Sequence, residues 1–357
     1  MDHCCSYAGP SGGAVAPGTT MSQRKLLTEP HKGTFTRRKP PAPPDEGHLH
    51  PSAGDPGDLH LGQPGPVGVA VGEGLLYAAR MRIALCQIPV SADPKINFAR
   101  VRTALAEAAG QDADVAVFPE ATQARFGSDL RSLAEPLDGS FGTGLAAAAR
   151  ETGVAVVAGV FEPAPDGRVY NTAVAYDGDG SLVSAYRKIH LFDALGQRES
   201  DLVAPGAEPV VTDLAGLRVG FLTCYDIRFP ELARVLVDRG AELIVVPAAW
   251  GAGLFKEEHW VTLTRARAIE NTVWVATADQ VPDPAEPSTR APTGIGRSML
   301  IDPMGTVRVD LGPYPGVAVA DVDTKLTAQV RTSLPCLEHR REDVFGPLPP
   351  QAPRFPD

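Results

Sequence analysis

Cysteine is scarce in this sequence, and its spacing limits what the thiols can do. The 357 residues include five cysteines, namely Cys4, Cys5, Cys86, Cys224 and Cys336. Adjacent cysteines such as Cys4 and Cys5 seldom bridge, and the other three do not repeat any metal-ligand spacing. The pattern argues against a disulfide framework and against a metal site. We therefore expect no bound metal and a reducing, cytoplasmic setting.

Long apolar runs and an excess of positive charge are also missing. No run of about 18 apolar residues occurs, so we expect no membrane span. The opening segment MDHCCSYAGPSGG has no basic region followed by an apolar core, which argues against a secretory signal. With 33 Lys and Arg against 43 Asp and Glu, the formal net charge is −10. This balance argues against a nucleic-acid surface, so neither nucleic acid nor a membrane is an expected partner.

Residues 1–80 lack the apolar side chains that a folded core requires. This stretch holds 11 prolines, 13 glycines and only three aromatic residues. It cannot bury enough apolar surface to offset its chain entropy, so the sequence predicts a disordered N-terminal arm. Because Met81 opens the first strand pattern, one hypothesis is that the arm reflects an extended gene start. Residues 346–357 are rich in proline and are predicted to form a loose tail.

Residues 81–345 alternate apolar strand patterns with helical ones. Buried-strand runs occur at MRIALCQIPV from Met81, DVAVF at 114–118 and AELIVVPAAW at 241–250. Asp93 and Pro94 predict the start of a helix that ends near Ala109. The DGDG segment at 177–180 predicts a hairpin between two further strands. Alternating strands and helices indicate one large α/β domain with a layered architecture.

The segment 216–235, GLRVGFLTCYDIRFPELARV, predicts a strand, a sharp turn and a helix. An apolar run ends just before Cys224, and helical spacing begins after Pro230. Asp226 is a candidate N-cap, and proline suits the first helical turn. A thiol on such a turn faces backbone N–H groups and the positive end of a helix dipole. These favour the thiolate and, later, an oxyanion.

Three predicted strands end at reactive side chains, which are Glu120, Lys188 and Cys224. Strand ends gather at one edge of a layered α/β sheet, where sites form. There Glu120 can act as general base and later as general acid. Lys188 can stabilise the thiolate and the anionic intermediate, and Cys224 can attack a carbonyl or nitrile carbon. The combination predicts covalent catalysis by a cysteine.

Three blocks around these residues resemble the signature blocks of the nitrilase (carbon–nitrogen hydrolase) superfamily. They are VFPE at 117–120, YRKIHLFD at 186–193 and CYDIRFPEL at 224–232, in the order of that family. The resemblance extends over roughly residues 81–335. It implies a four-layer α-β-β-α sandwich, a homodimer or larger homo-oligomer, and no cofactor or metal.

The resemblance also implies supporting residues around the nucleophile. Glu199 matches a second glutamate that orients the lysine and the attacking water, although the preceding loop LFDALGQ is shorter than in the family pattern. Tyr225 would donate its backbone N–H to the oxyanion. Tyr225, Asp226 and Arg228 would shape the substrate-binding pocket.

Within the superfamily, the block CYDIRFPEL is most similar to the ω-amidase and deaminated-glutathione amidase branch. True nitrilases tend to carry Trp-Glu after the cysteine, where this chain has Tyr225 and Asp226. This favours an amidase that hydrolyses a small carboxylated amide through a thioester and releases ammonia. Such a substrate requires a basic group in the pocket, for which Arg228, Arg297 and Lys256 are candidates.

Other interpretations of the same residues stay open. On the same scaffold the protein could be an N-carbamoyl amino acid or β-ureidopropionate type hydrolase, or a nitrilase. In a papain-like enzyme a histidine would serve the cysteine, yet His190 already belongs to the nitrilase pattern as a supporting residue. A different class is an inert scaffold or partner protein, in which Glu120 caps a segment and Lys188 lies on an edge strand.

Overall fold

The computed structural model describes residues 80–286 and 291–345. Except for Arg80, the predicted disordered arm lies outside these ranges, as does the predicted tail at 346–357. The first strand begins at Arg80, one residue before the predicted start. The described residues contain two mixed β-sheets flanked by helices.

The first sheet has six strands. They are β1 (Arg80–Gln87), β2 (Val115–Val117), β3 (Ala155–Pro163), β4 (Val169–Tyr176), β5 (Leu182–Arg187) and β12 (Gly316–Asp323). Their order across the sheet is β12-β1-β2-β3-β4-β5. The neighbours β1, β2 and β3 are parallel, whereas β4, β5 and β12 pair antiparallel. The antiparallel pair β4 and β5 forms the hairpin predicted from DGDG.

The second sheet repeats this plan. Its strands are β6 (Val211–Leu214), β7 (Leu217–Phe221), β8 (Leu243–Ala248), β9 (Trp274–Asp279), β10 (Met299–Ile301) and β11 (Val307–Asp310). The order is β11-β10-β9-β8-β7-β6, with β7, β8 and β9 parallel and the outer strands antiparallel. Each sheet therefore places parallel strands at its centre.

Seven helices are described: α1 (Pro94–Ala109), α2 (Leu130–Leu133), α3 (Ser140–Thr152), α4 (Pro230–Asp238), α5 (Lys256–Asn271), α6 (Thr324–Ser333) and α7 (Glu342–Phe345). Within residues 80–286 and 291–345, none is long and apolar enough to cross a bilayer. Asp93 caps α1 as predicted, because its side chain accepts a hydrogen bond from the N–H of Lys95 at 2.8 Å. The predicted cap of α4 by Asp226 is wrong, since Phe229 occupies that position.

The two faces of the first sheet bury different side chains. In β1, Ile83 and Leu85 join a core with the second sheet, while Ala84 and Cys86 pack with residues of α1 and α3. This alternation follows from the period of two along a strand. On the second sheet, α4 and α5 contribute Leu236 and Trp260 to the buried cluster. The predicted four-layer α-β-β-α sandwich is confirmed.

Within each sheet, several strands end at the same edge. β5 runs in the same direction as β2 and β3, because β3, β4 and β5 are successively antiparallel. The chain therefore leaves β2 and β5 at the same edge of the first sheet. In the second sheet β7, β8 and β9 are parallel, so their exits also share one edge.

Candidate active site

Glu120 lies three residues beyond the end of β2 and is almost completely buried. Its Oε1 accepts hydrogen bonds from Lys188 at 2.9 Å and from Asn171 at 2.7 Å, and its Oε2 accepts one from the backbone N–H of Ala249 at 2.8 Å. The backbone of Glu120 passes close to Gly159 of β3. A Cβ on Gly159 would lie only 2.4 Å from the nitrogen of Ala121, so glycine is needed there.

Lys188 follows the last residue of β5 and is 2% exposed. Its Nζ lies 2.9 Å from Glu120 Oε1, and 3.1 and 2.9 Å from the two oxygens of Glu199. Burial acts to lower the pKa of Lys188, but the charges of Glu120 and Glu199 outweigh it and raise the pKa well above its usual value. The side chain is therefore a cation at neutral pH.

Glu199 begins a short 3-10 turn, Glu199–Asp201, after the loop that follows Lys188. The N–H of Phe192 donates to its Oε2 at 2.6 Å, and Asn171 donates to its Oε1 at 3.2 Å. The shorter loop thus still brings Glu199 onto the lysine. Glu199, which was identified by resemblance, therefore contacts Lys188 directly.

Cys224 lies on the turn that the sequence predicted. β7 ends at Phe221, a 3-10 turn covers Cys224–Arg228, and α4 starts at Pro230. Cys224 has a φ of 48°, in the left-handed region that a non-glycine residue adopts at a cost of about 1–3 kcal/mol. Such strain requires support from the surrounding structure, which Asp226 supplies by accepting a hydrogen bond from the N–H of Thr223 at 2.9 Å.

The resting state of Cys224 differs from the expectation that its surroundings favour the thiolate. Burial, and then the charge of Glu120, raise the pKa of Cys224 well above its usual value. Lys188 and the N–H of Ala249 act in the opposite direction but do not outweigh them. The thiol therefore keeps its proton until a base removes it.

One cavity of about 220 Å³ joins the predicted catalytic groups. Its lining includes Glu120, Lys188, Glu199 and Cys224, with the aromatic side chains of Phe192, Tyr225 and Trp250. The cavity is also bordered by Ala291 and Pro292, from the proline-rich loop. An acid, an ammonium and a thiol thus face the same small space, which is the arrangement needed for acyl transfer to a cysteine.

The residues predicted to shape the pocket lie in different places. Tyr225 lines the cavity. Asp226 is fully buried, and its carboxylate is occupied by the hydroxyl of Tyr186 at 2.6 Å and the N–H of His190 at 2.9 Å. Arg228 packs on Trp250, with its guanidinium carbon 4.8 Å from the ring centroid. Asp226 therefore supports the turn from behind, whereas Tyr225 contacts the cavity.

Of the other candidate basic groups, only one reaches the cavity. Lys256 is 6% exposed and belongs to the lining. Arg297 instead pairs with Asp310 at 2.6 Å and with Glu257 at 2.5 Å, and it does not line the cavity. Arg297 is therefore not positioned to bind a substrate in this pocket.

Three contributors to the site were not predicted from the sequence. Asn171, which lies in β4, donates hydrogen bonds to both Glu120 and Glu199. Ala249 offers a main-chain N–H, which carries no side-chain signal. Asp279, at the end of β9, accepts the N–H groups of Trp250 and Ile295 at 2.8 and 2.9 Å, and burial raises its pKa well above the usual value. The sequence did carry a signal for two of them: Asn171 is a polar residue within an apolar strand, and Asp279 is an acid at the end of one.

Within residues 80–286 and 291–345, no three His, Cys, Asp or Glu side chains are grouped as metal ligands. Glu120 and Glu199, which line the same cavity as Cys224, are both bound to the ammonium of Lys188. The described donor set is therefore that of an acid–base and nucleophile site.

A profile of the carbon-nitrogen hydrolase family matches residues 82–332. This match covers well over half of the chain and contains all four groups around the cavity. The chain therefore belongs to the carbon-nitrogen hydrolase family. It is a hydrolase acting on carbon–nitrogen bonds other than peptide bonds.

Individual relatives agree with this assignment. Hydrolase Rv0480c of Mycobacterium tuberculosis is 46% identical over 272 residues, covering 74% of this chain and 97% of the relative. Deaminated glutathione amidase of Rattus norvegicus is 38% identical, covering 75% and 84%, and omega-amidase NIT2 of Danio rerio is 34% identical, covering 75% and 97%. The predicted resemblance to this branch of the nitrilase superfamily is confirmed.

A solved structure of an amidase from Nesterenkonia sp. AN1 is similar in fold, with a TM-score of 0.62 and 27% identity over 74% of this chain and 94% of the other. That structure shows covalent addition of the acetamide moiety of fluoroacetamide at the active-site cysteine of the Nesterenkonia enzyme.

Proposed function

We propose that this protein is a cysteine-dependent amidase that hydrolyses a small carboxylated amide through a thioester and releases ammonia. One observation carries the proposal: Cys224 shares a cavity with Glu120, and Glu120 is held by Lys188 at 2.9 Å. The amidase names of several relatives and the cysteine adduct of the Nesterenkonia enzyme support the same chemistry.

In the first half-reaction, the Sγ of Cys224 attacks the amide carbon while Glu120 takes the thiol proton. General-base assistance is required because the pKa of Cys224 is raised by burial and by Glu120. The resulting oxyanion is stabilised by the ammonium of Lys188 and by the backbone N–H of Tyr225. Collapse breaks the C–N bond, Glu120 returns the proton to the leaving nitrogen, and ammonia departs from a thioester.

In the second half-reaction, water attacks the thioester carbon. Glu120 again serves as the base, and Glu199 orients both Lys188 and the water. The C–S bond breaks, the thiol of Cys224 regains its proton, and the carboxylic acid leaves. No external oxidant, reductant or metal ion enters this sequence of steps.

Two other reactions use the same groups. An N-carbamoyl amino acid hydrolase would release carbon dioxide together with ammonia, and a nitrilase would start from a nitrile. The buried cation Lys256 in the cavity favours an anionic substrate but fits both amides and carbamoyl acids. The reaction products therefore discriminate among these alternatives.

The decisive experiment measures ammonia release from a panel of small amides, nitriles and carbamoyl acids, with Cys224→Ala in parallel. The proposal is supported if wild type releases ammonia from a carboxylated amide and Cys224→Ala does not. Carbon dioxide in equal amount moves the assignment to a carbamoyl hydrolase. Activity retained by Cys224→Ala rules out the cysteine mechanism. Silence across the panel moves weight to a substrate outside the panel or to an inert scaffold.

We also propose a cytoplasmic setting and a homodimer or larger homo-oligomer. The described cysteines Cys86, Cys224 and Cys336 are free thiols, which fits a reducing compartment. Large apolar side chains remain exposed on the single chain, among them Leu254 at 85% and Tyr314 at 75%, and an assembly would cover such surface. Light scattering of the purified protein gives the assembly size; a monomeric mass at micromolar concentration would overturn the oligomer.

A further inference from the structure

Glu120 is held by its main chain as well as by its carboxylate. The side-chain amide of Gln280 donates to the carbonyl oxygen of Glu120 at 2.7 Å, and both residues are buried. The next residue, Ala121, has a φ of 56°, in the left-handed region that persists only where the surroundings fix it. Without the Gln280 amide, this peptide is free to rotate and carry the Glu120 side chain with it.

The same glutamine ties Glu120 to the second sheet. Gln280 directly follows β9, and its N–H donates to the carbonyl oxygen of Ala248, the last residue of β8, at 3.2 Å. The N–H of the next residue, Ala249, donates to Oε2 of Glu120 at 2.8 Å. These hydrogen bonds close a ring that includes both the main chain and the carboxylate of Glu120.

Asp279 supports this ring of hydrogen bonds from within the second sheet. Its Oδ1 accepts the N–H groups of Trp250 at 2.8 Å and Gln280 at 2.9 Å, and its Oδ2 accepts that of Ile295 at 2.9 Å. The segments that follow β8 and β9 are therefore held together beside the ring.

The strand that leads to Cys224 lies next to these anchors. β7 pairs in parallel with β8, and the N–H of Leu222 donates to the carbonyl oxygen of Val245 at 3.0 Å. The strand β8 therefore fixes Cys224 on one side and Glu120 at its end. Because Glu120 follows a strand of the other sheet, a bond between the sheets is needed to fix the separation of the two groups.

We propose that Gln280 is a positioning residue, whose amide sets the distance and direction of Glu120 relative to the thiol of Cys224. Gln280 does not line the described cavity, so it acts through Glu120. A misplacement of about 1 Å in such a site lowers the rate about 10²-fold. This inference rests on the proposed amidase function, to whose mechanism it adds a residue.

The test compares two buried glutamines. Gln280→Met keeps the length of the side chain and removes the donor to Glu120. Gln87→Met is the matched control, because Gln87 of β1 is also buried and its amide makes hydrogen bonds to Gly312 and Ser298. Gln280→Asn shortens the amide by one methylene group and keeps the position polar, which provides a milder second variant. Thermal unfolding shows that each protein is folded.

Ammonia release from succinamate, a small carboxylated amide, is measured with the full-length protein. We expect kcat of Gln280→Met to fall at least about tenfold with KM nearly constant, because the cavity lining is unchanged. Gln280→Asn should lose kcat in the same direction. Gln87→Met should retain kcat even where it lowers stability. An unchanged kcat in Gln280→Met, or an equal loss in Gln87→Met, would overturn the proposal.

A second measurement requires no turnover. Iodoacetamide alkylates Cys224 through the thiolate and releases iodide, and mass spectrometry of the Cys224 peptide gives the rate as a function of pH. Burial and the charge of Glu120 raise the pKa of Cys224, so Glu120→Gln should move this profile to lower pH. Gln280→Met should move it part of the way, because the carboxylate is less closely held. The other charged groups that act on Cys224, present in every variant, are Lys188, Asp279 and Lys256.

This profile separates the positioning role from the amidase function. A shift in Gln280→Met but not in Gln87→Met supports the role of Gln280, even if wild type releases no ammonia and the amidase proposal fails. A shift in Glu120→Gln alone overturns the role of Gln280 and leaves the amidase proposal in place. Identical profiles in all variants overturn the coupling of Glu120 to Cys224, and the role of Gln280 with it.

Discussion

Nζ of Lys188 lies 2.9 Å from Oε2 of Glu199 and also 2.9 Å from Oε1 of Glu120. One ammonium is therefore shared between two buried carboxylates. Because the pKa of Lys188 is raised by both acids, the three side chains behave as a charge-coupled unit. Removing any one charge changes the balance at the other two.

Glu199→Gln tests this coupling. Glutamine retains an oxygen for the N–H of Phe192 but removes one of the two charges that hold Lys188. We expect kcat to fall about 10²-fold with a small change in KM, because a misplaced catalytic group costs about that factor. Steady-state ammonia release checks it, with the exposed Glu208→Gln as control. An unchanged kcat would contradict the role of Glu199.

The buried thiols predict how stability depends on alkaline pH. The pKa values of Cys86 and Cys224 are raised by burial, so both stay protonated in the folded state while the unfolded chain ionises near pH 8.5. The unfolded state then binds fewer protons, and each thiol lowers the free energy of unfolding by up to about 1.4 kcal/mol per pH unit above that point. Their contribution is therefore present below pH 8.5 and lost as the pH rises.

Cys224→Ala should remove part of this slope. In denaturant titrations under reducing conditions between pH 8 and 10, the free energy of unfolding of wild type should fall more steeply than that of the variant. Cys86→Ala should flatten the curve in the same way. Parallel curves for all three proteins would show that the folded state ionises these thiols as readily as the unfolded chain does.

Gly159→Ala probes the close approach of the Glu120 backbone to β3. The new Cβ would lie 2.4 Å from the nitrogen of Ala121 and 2.8 Å from the Cα of Glu120, so the general base must shift. We expect kcat to fall at least tenfold, with a loss of about 1–3 kcal/mol in the free energy of unfolding. Gly110→Ala is the control.

At Gly110 the backbone is helical, with a φ of −63°, and the nearest atom to an added Cβ is 3.4 Å away. Alanine should be tolerated there with little change in activity or stability. If Gly159→Ala behaved like this control, Glu120 would not depend on the backbone contact.

Asp226→Asn distinguishes support of the turn from contact with substrate. The asparagine NH₂ would face N–H groups that now donate to a carboxylate, which costs about 1–3 kcal/mol of stability. We expect kcat to fall because the strained turn at Cys224 loses its brace, while KM for the amide stays nearly constant. A raised KM with unchanged kcat would instead place Asp226 at the substrate, as its position in the sequence motif suggested.

The grouping of three reactive side chains around one cavity could be predicted from the sequence, because each one follows a strand of apolar residues. A charged or thiol side chain directly after an apolar strand is unusual, and it therefore indicates a site. Glu120, Lys188 and Cys224 all occupy such positions. The layered fold could also be predicted, since strand and helix periodicities alternate along the chain. The protonation state of Cys224 could not, because it depends on burial and on the distance to Glu120.

Other parts of the site depend on register and packing that the sequence does not display. Arg297 and Lys256 were equal candidates, but pairing of β10 with β11 places Asp310 beside Arg297 and turns it away from the cavity. Ala249 acts through its main chain. Asn171 lies among apolar residues of β4. Only the structure shows that this strand passes Glu120, to which the Asn171 amide donates a hydrogen bond.

The proposed catalytic groups come from different sheets. Glu120 and Lys188 follow strands of the first sheet, whereas Cys224 follows β7 of the second. The proton acceptor and the thiol therefore meet only where the two sheets pack against each other, so neither sheet contains the reaction centre by itself. A substitution in the core between the sheets would change the distance between base and nucleophile while leaving both side chains in place.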